Sequence, residues 1–511
     1  MKESSCVIST SNRNLHSLTL PSLLPTGKGE LQTYWLHTKK SSRPMSDVSL
    51  NDGSLDIGGW LDLPTELFNS NSNLCFSSNK IRECLSEQNQ RLADWNSNQL
   101  LLLLDTVVAH RQATGGGNRN DSDDDPELQS LGGEHTGVDE DISIIKKIKD
   151  KITMPSYNSE VFVKALDTPT NLSEVVQQQL HDYVSIICSM YVDNPFHSYQ
   201  HASHVTMSLI KYITSLAAPH QYSLKPEKTK DAEHERARHH EKTFGISSDP
   251  ISHFALAFAA LIHDVDHPGV SNAQLGKENT RLARIFEGRC ITEQNSFQCA
   301  WDLLMDPSFD YLRNAIYSTK EEFFHFRDLL INAVLATDMF DKDLNESRQR
   351  RWKLAFSEDS SARALEIAPS QAEKELSDLR ATVVLEYVIQ ASDVAHMMQH
   401  WAVYRKWNDR LFHENLLSYW AGRLDKDPSS FWFEQELKFF DEKAIPMARK
   451  LKECGAFGLF FDEYLDYAVQ NREEWERKGK EIVAEMANKF DGTETKDLLG
   501  ESGTEQNVEV S

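Results

Sequence analysis

The feature that most constrains the fold of this 511-residue chain is an apolar run that ends abruptly in ionisable side chains. Residues Phe254 to Ile262 are all apolar, and His-Asp-Val-Asp-His follows at once from His263 to His267. A helix that is apolar all round must be buried. The ionisable groups at its end must then be paired, hydrogen-bonded or metal-bound, because an isolated buried charge is costly. A helix cap with a surface charge cluster is the alternative, but a cap does not need four such groups.

Two other segments add side chains of the same chemistry. His197 and His201 are four residues apart, which places both imidazoles on one face of a helix. Asp393 ends another apolar run, from Leu385 onwards. Each segment alone is a weak signal, since a histidine pair can arise by chance and an aspartate at a helix end is usually exposed. Histidine and aspartate together suit Zn²⁺ or a mixed pair of divalent ions.

Hydrophobic periodicity predicts an all-α protein with one large helical domain. Helical spacing recurs along the chain, and convincing alternating strands are absent. The predicted organisation is a poorly structured region over 1–78, a connector helix over 79–113, an acidic flexible linker over 114–142, a helical catalytic domain with subdomains over 143–490, and a disordered acidic tail over 491–511.

Charge and cysteine content narrow the class of protein. Asp and Glu number 78 against 54 Lys and Arg, which gives a net charge of −24 and argues against binding to a nucleic acid polymer. Seven cysteines, an odd number without a Cys-x-x-Cys pair, favour a reducing cytoplasm over a disulfide framework. The N-terminus lacks the apolar core of a signal peptide, and no apolar run reaches the roughly 20 residues of a membrane span.

Taken together, the motifs resemble the catalytic domain of class I 3′,5′-cyclic nucleotide phosphodiesterases, within the HD hydrolase superfamily. The motifs are Asn-Pro-x-His-x-x-x-His-Ala from Asn194, His-Asp-x-Asp-His-Pro-Gly-x-x-Asn from His263, and Leu-Ala-Thr-Asp-Met from Leu335. The resemblance implies hydrolysis of cAMP, cGMP or both to the nucleoside 5′-monophosphate. Another HD-type nucleotide phosphohydrolase and a catalytically inactive module that binds cyclic nucleotides are the competing hypotheses.

The resemblance also implies a role for each matching residue. Zn²⁺ would be held by His201, His263, Asp264 and Asp393, and Asp264 would bridge to a second ion, Mg²⁺ or Mn²⁺. Two such ions activate a water molecule for attack on phosphorus. The remaining roles are a proton donor for the leaving 3′-oxygen (His197), groups that orient water and phosphate (His267 and Glu293), and a residue near the substrate (Asn272).

The resemblance also implies which residues would recognise the nucleotide base. Phe439 falls at the family's base-stacking position and Glu436 at the position of its base-reading glutamine, although a shift of one residue would put Gln435 there. An ionised Glu436 only accepts hydrogen bonds, which would favour cAMP. Two departures near the metal ligands are His204, where the family often has Asp, and His396, where many members have Asn.

A second, shorter resemblance lies near the N-terminus. Residues 20–37, which include Lys28, resemble the last strands of a class III nucleotide cyclase domain. So short a segment cannot form a cyclase core, so no cyclase activity is expected, and one hypothesis is that the chain is part of a cyclase–phosphodiesterase fusion. A homodimer formed through the N-terminal helix is a further expectation.

Overall fold

A computed structural model describes residues 78–115, 143–168, 170, 172–217, 230–357, 369–458 and 460–491. Within these ranges the chain is all-α, as predicted, and contains no strand. The α-helices, numbered here in chain order, are α1 Ser78–Cys84, α2 Glu87–Ala113, α3 Ser159–Asp167, α4 Glu174–Ser189, α5 Tyr199–Ala217, α6 Lys230–Lys242, α7 Pro250–Ile262, α8 Asn272–Lys277, α9 Arg281–Ile285, α10 Ile291–Met305, α11 Asp310–Ile316, α12 Lys320–Ala336, α13 Lys342–Phe356, α14 Pro369–Asp393, α15 Trp401–Trp420, α16 Trp432–Phe439, α17 Ile445–Glu453 and α18 Phe460–Asp491.

Helix α7 is the centre of the fold, as its apolar sequence requires. Pro250 occupies its first turn, where the missing N–H costs no helical hydrogen bond. All residues from Phe254 to Ile262 are buried. Helices α2, α5 and α12 pack around it. Of the polar residues that follow Ile262, His263, Asp264 and His267 are therefore buried in the interior, whereas Asp266 is exposed.

The helical region expected over 79–113 differs from the prediction in two ways. It is divided into α1 and α2, and the Ser86 side chain caps α2 by accepting a hydrogen bond from the Asn89 N–H (3.2 Å). It is also part of the domain rather than a connector, because Leu100 and Leu104 of α2 are fully buried and α2 packs on α7. Truncation of the chain before residue 143 would therefore remove one wall of the core.

One continuous hydrophobic core spans α1 to α18 in the described ranges, where the sequence suggested subdomains. A small satellite core of Val270, Leu275, Ala283, Phe286 and Ile291 covers the segment after the α7 loop. No helix among the described residues is both long enough and apolar enough to cross a bilayer. The segments expected to be a weak N-terminal region (1–77 of 1–78), an acidic linker (116–142 of 114–142) and a tail (492–511 of 491–511) lie outside the described residues.

A buried charge cluster fixes α14, the helix that ends at Asp393. The Glu386 carboxylate accepts hydrogen bonds from Arg351 (2.9 and 2.8 Å) and from Arg348 (3.2 Å), both on α13. It also accepts from the Asn332 amide on α12 (3.0 Å). Because all of these side chains are buried, each needs its partners, and the cluster sets the relative position of three helices.

The attachment of α2 to the domain gives a first prediction. The buried Arg111 guanidinium donates to Glu322 on α12 (3.1 Å) and to the carbonyls of Ala315 and Ile316 (3.0 Å each). Replacing it in Arg111→Met leaves these acceptors unpaired and should lower the free energy of unfolding by about 3 kcal/mol in urea denaturation.

The matched control is Arg91→Met on the same helix. Arg91 is exposed and pairs with Glu87 one turn away, so its loss should cost less than about 0.5 kcal/mol. Equal effects of the two substitutions would contradict the assignment of Arg111 as an anchor of α2.

Candidate active site

Three helix ends bring the predicted metal-binding residues together. His201 lies in the first turn of α5, His263 and Asp264 directly follow α7, and Asp393 ends α14. His201 Nε2 is 2.9 Å from Asp393 Oδ1 and 3.7 Å from Asp264 Oδ2. His263 Nε2 is 3.1 Å from Asp264 Oδ2 and 3.4 Å from Asp393 Oδ1. Residues separated by as many as 192 positions thus surround one point.

The protonation and partners of these groups fit a bound cation. The Nδ1 atom of His263 is 3.0 Å from the Ala260 carbonyl, to which it donates, so Nε2 is the ring atom that faces the cluster and that would offer its lone pair to a bound cation. His263 Nε2 and Asp264 Oδ2 are buried and have no hydrogen-bond partner within the described part of the chain. Two imidazole nitrogens and two carboxylate oxygens form a donor set that Zn²⁺ accepts.

The electrostatics of the cluster favour positive charge. Burial lowers the pKa of His263, but the Asp264 and Asp393 carboxylates outweigh it and hold that pKa well above its ordinary value. Burial raises the pKa values of Asp264 and Asp393, yet the neighbouring imidazoles hold both below their ordinary range. Two ionised carboxylates, one at the end of α7 and one at the end of α14, can therefore neutralise a cation.

Beside this cluster, His197 forms an ion pair that the sequence did not reveal. Its Nδ1 bonds to the Glu414 carboxylate of α15. The second oxygen of Glu414 accepts from the backbone N–H groups of Phe196 (2.8 Å) and His197 (2.9 Å). Burial lowers the pKa of His197, but Glu414 and then Asp264 and Asp393 raise it to about 9. Glu414 thus fixes the ring's orientation and keeps it protonated at neutral pH.

The loop after α7 places His267 against His197. The two rings stack with centroids 3.9 Å apart. His267 Nδ1 accepts the Gly269 N–H (3.1 Å), so its Nε2 carries the proton. Burial and the adjacent His197 lower the pKa of His267 to about 3. A neutral donor therefore stands beside a cationic one.

Gly269 and Asn194 hold this loop in place. The Asn194 amide donates to the carbonyls of His267 (2.7 Å) and His197 (3.2 Å). Gly269 has φ +71°, and a Cβ there would lie 3.1 Å from Asn194 Oδ1. Both the backbone conformation and the close approach therefore require glycine. Asn194 thereby links the segment of His197 to the segment of His267.

Asn272 links two carboxyl groups, those of Glu293 and Asp338. The Asn272 amide donates to Glu293 (2.8 Å) and to Asp338 (3.0 Å), while its carbonyl oxygen accepts from the Thr292 N–H (3.0 Å). Burial and then the Asp338 charge raise the pKa of Glu293 to about 8. The Leu-Ala-Thr-Asp-Met motif contained Asp338, but no role followed from it. In this structure the Asn272 side chain holds two carboxylates together.

The expected base-recognition residues differ in exposure. Glu436 is 7% exposed, and its Oε2 accepts a hydrogen bond from the Tyr404 hydroxyl oxygen at 2.8 Å, whereas Gln435 is exposed. Burial raises the pKa of Glu436 to about 7, against the lowering effects of Tyr404 and Asn408. Phe439 is partly buried, and its ring lies 6.3 Å from that of Phe340, which is 75% exposed.

Comparisons with known proteins agree with this arrangement. Residues 196–442 match the family model described as 3′5′-cyclic nucleotide phosphodiesterase. This part of the chain is therefore similar to 3′5′-cyclic nucleotide phosphodiesterases. The match begins beside His197 and extends past Phe439, so it contains all of the candidate residues on both sides of the site. It shows nothing about residues 20–37, and the predicted similarity of that segment to a cyclase lies outside the described residues.

The curated relatives of this chain are distant. One is named "Probable 3′,5′-cyclic-AMP phosphodiesterase" in Caenorhabditis elegans, with 25% identity over 250 residues, 48% of this chain and 30% of the relative. A cGMP-inhibited 3′,5′-cyclic phosphodiesterase of Homo sapiens is 30% identical over 169 residues, 29% of this chain and 14% of the relative. A dual specificity calcium/calmodulin-dependent 3′,5′-cyclic nucleotide phosphodiesterase of Bos taurus is 23% identical over 221 residues, 43% of this chain and 32% of the relative.

The chain thus spans about a third or less of these curated relatives. Among solved structures, the phosphodiesterase domain of Salpingoeca rosetta rhodopsin phosphodiesterase has a TM-score of 0.44 and 20% identity, covering 62% of this chain and 86% of that one.

The ion pair of His197 with Glu414 gives the second prediction. In Glu414→Gln the main charge that opposes the effect of burial is lost, so the pKa of His197 should fall from about 9 to about 7 or below. NMR titration of the labelled imidazole measures this shift. The pair stabilises the fold fully between about pH 4.5 and pH 6.5. This contribution is lost as the pH rises through about 9, where His197 loses its proton, and as the pH falls through about 2, where Glu414 gains one.

The control is Glu434→Gln, which removes an exposed carboxylate of α16. It should leave the titration of His197 unchanged. A His197 pKa that stays near 9 in Glu414→Gln would show that the remaining carboxylates, rather than Glu414, hold the proton.

Proposed function

We propose that this chain hydrolyses a 3′,5′-cyclic nucleotide to the nucleoside 5′-monophosphate. The observation that carries the proposal is the convergence of His201, His263, Asp264 and Asp393 beside a protonated His197. The family match over residues 196–442 supports the same activity.

The donor set supports a metal-dependent reaction. His201, His263, Asp264 and Asp393 would hold Zn²⁺, and Asp264 would also face a second ion, Mg²⁺ or Mn²⁺. Bound divalent ions supply Lewis acidity toward the phosphate oxygens and lower the pKa of a nearby water molecule. His263 Nε2 and Asp264 Oδ2, which lie 3.1 Å apart and have no further hydrogen-bond partner among the described residues, support binding of such an ion at this point.

His197 supplies the proton for the leaving group. Breaking the P–O3′ bond leaves an alkoxide, which is a poor leaving group unless it is protonated. Glu414 engages Nδ1, so Nε2–H of His197 is the free donor, and a pKa of about 9 keeps it charged at neutral pH. The hydrolysis then delivers one proton from His197 to O3′, and solvent restores it.

His267 and the Glu293 pair orient the reactants. The Nε2–H of neutral His267 lies beside His197 and can donate to a phosphate oxygen or to water without adding charge. Glu293, held with Asp338 by Asn272, presents a carboxyl group that can accept from a water molecule. Asn272 acts near the substrate by organising these two carboxylates.

The first test is turnover of the full chain on cAMP and cGMP, with and without Mg²⁺. Asp393→Ala should lose bound metal and all measurable turnover. His197→Gln should keep its metal but fall by about 10²- to 10⁴-fold in kcat, the usual value of a general acid.

The control is Asp425→Ala, which removes an exposed carboxylate paired with Lys277 and should leave kcat unchanged. Full activity in either of the two active-site variants would overturn the proposal. Hydrolysis of a cyclic dinucleotide alone would favour another HD-type phosphohydrolase, and zinc and cAMP binding without turnover would favour an inactive binding module.

Base selectivity gives a further prediction, because the pKa of Glu436 is about 7. The ionised carboxylate accepts only, which suits the amino group of adenine, whereas the neutral acid can donate to guanine O6. The ratio of kcat/KM for cAMP over cGMP should therefore rise between about pH 6 and pH 8. Glu436→Gln, which does not titrate, should flatten this dependence.

Gln435→Ala is the matched control, because Gln435 is the exposed neighbour that a one-residue shift would place against the base. A selectivity that responds to Gln435→Ala and not to Glu436→Gln would reverse the assignment.

A cytoplasmic location and a homodimer through the N-terminal helix stay predictions, to be tested by fractionation and by solution mass.

A further inference from the structure

Behind the candidate metal site lies a buried ring cluster formed by His201, His204, His396 and Trp407. The ring centroids of the three histidines lie 5.5, 5.1 and 6.3 Å from that of Trp407, respectively. Phe196 closes the cluster, 4.5 Å from His201 and 5.7 Å from His396. No role in the reaction proposed above involves His204 or His396.

The cluster contains four polar atoms without partners. The Nδ1 atoms of His201, His204 and His396 and the Nε1 atom of Trp407 are buried, and none has a hydrogen-bond partner in the described part of the chain. Leaving a buried donor or acceptor unsatisfied destabilises a fold, so four such atoms in one cluster require an explanation. An ordered water molecule with two to four such partners is the usual one.

The protonation of each ring follows from its other contacts. His204 Nε2 donates to Gln399 Oε1 at 3.1 Å, and the Gln399 amide itself donates to Ser208 at 3.5 Å. His204 Nδ1 is therefore an acceptor. His201 directs Nε2 toward Asp393 and the metal position, so its Nδ1 carries the proton.

His201 and His204 are therefore complementary. One turn of α5 separates them, so they share a helix face, and one ring offers a donor where the other offers an acceptor. Trp407 Nε1–H is a second donor within the same ring cluster. A water molecule that accepts from the His201 and Trp407 donors and donates to His204 Nδ1 matches this set.

We infer that His204 is a positioning residue for the metal ligand His201, acting through a buried water that accepts from His201 Nδ1–H and donates to His204 Nδ1. The inference rests on the proposed function, because it concerns the metal of that site. Partners of this kind fix the orientation of a ligating histidine and raise its basicity. A neutral imidazole in this role polarises His201 less than a carboxylate would.

The test measures zinc affinity by competition with a chromophoric chelator, at fixed pH, on the full chain. His204→Leu removes the acceptor and should weaken zinc binding by about 10- to 100-fold. His204→Asp replaces it with a charged acceptor and should bind zinc more tightly than the natural chain. Absorption of the Co²⁺-substituted protein should change in both variants, because the orientation of His201 changes.

Gln399→Leu frees the orientation of His204 and should weaken zinc binding by less than His204→Leu does. It should have no additional effect in the His204→Leu background, because it acts through His204. His413→Leu is the matched control on α15: His413 stacks on Phe490 with centroids 4.1 Å apart, and its loss should leave zinc affinity unchanged.

A folded His204→Leu variant with zinc affinity within about twofold of the natural chain would overturn the inference while leaving the proposed function intact. If His204→Leu does not fold, unchanged affinity in both His204→Asp and Gln399→Leu overturns it equally. A natural chain that binds no zinc would overturn the proposed metal site and the inference together.

Discussion

The structure depends on one constraint: a helix that is apolar on every side cannot end in free charges inside the protein. Helix α7 is buried from Phe254 to its end, and His263, Asp264 and His267 of the segment that follows it are buried as well. The fold meets this requirement by bringing His201 and Asp393 from two other helices to the same point, so that imidazoles and carboxylates face one another. The arrangement of α5, α7 and α14 is thus also the arrangement of the metal-binding candidates.

Charged groups of both signs surround this point, and each pair has its own effect on protonation. The inner carboxylates, Asp264 and Asp393, hold the pKa of His263 high and suit a cation, while Glu414 keeps His197 charged and His267 stays neutral beside it. The whole chain carries −24, which opposes an anionic substrate at long range. Bound cations would reverse that field locally, which is a physical reason for a metal pair in this pocket.

Sequence patterns predicted much of the site because covalent spacing carries the information. The His-Asp pair after an apolar run lies where expected, and all four metal-binding candidates converge. The predicted helix face shared by His197 and His201 is wrong, because α5 begins at Tyr199 and His197 lies in the bend before it. Glu414 could not be found in this way, since it pairs with a histidine 217 residues away and no local pattern marks it. The prediction that α2 is a connector was wrong for the same reason. Its packing against α7 joins segments that are far apart in the chain, which no local pattern reveals.

By itself, the sequence determined the helical class and the burial of α7, because periodicity is a local property, and its motifs named the candidate metal-binding side chains through their resemblance to a known family. Only the tertiary structure decided which groups neutralise one another. The pKa values of His197 and Glu436, the tautomers of His204 and His267, and the unpartnered atoms around Trp407 all arise from contacts between distant segments in a buried, low-dielectric interior. Such contacts set the chemistry of the site, and residue identity alone does not specify them.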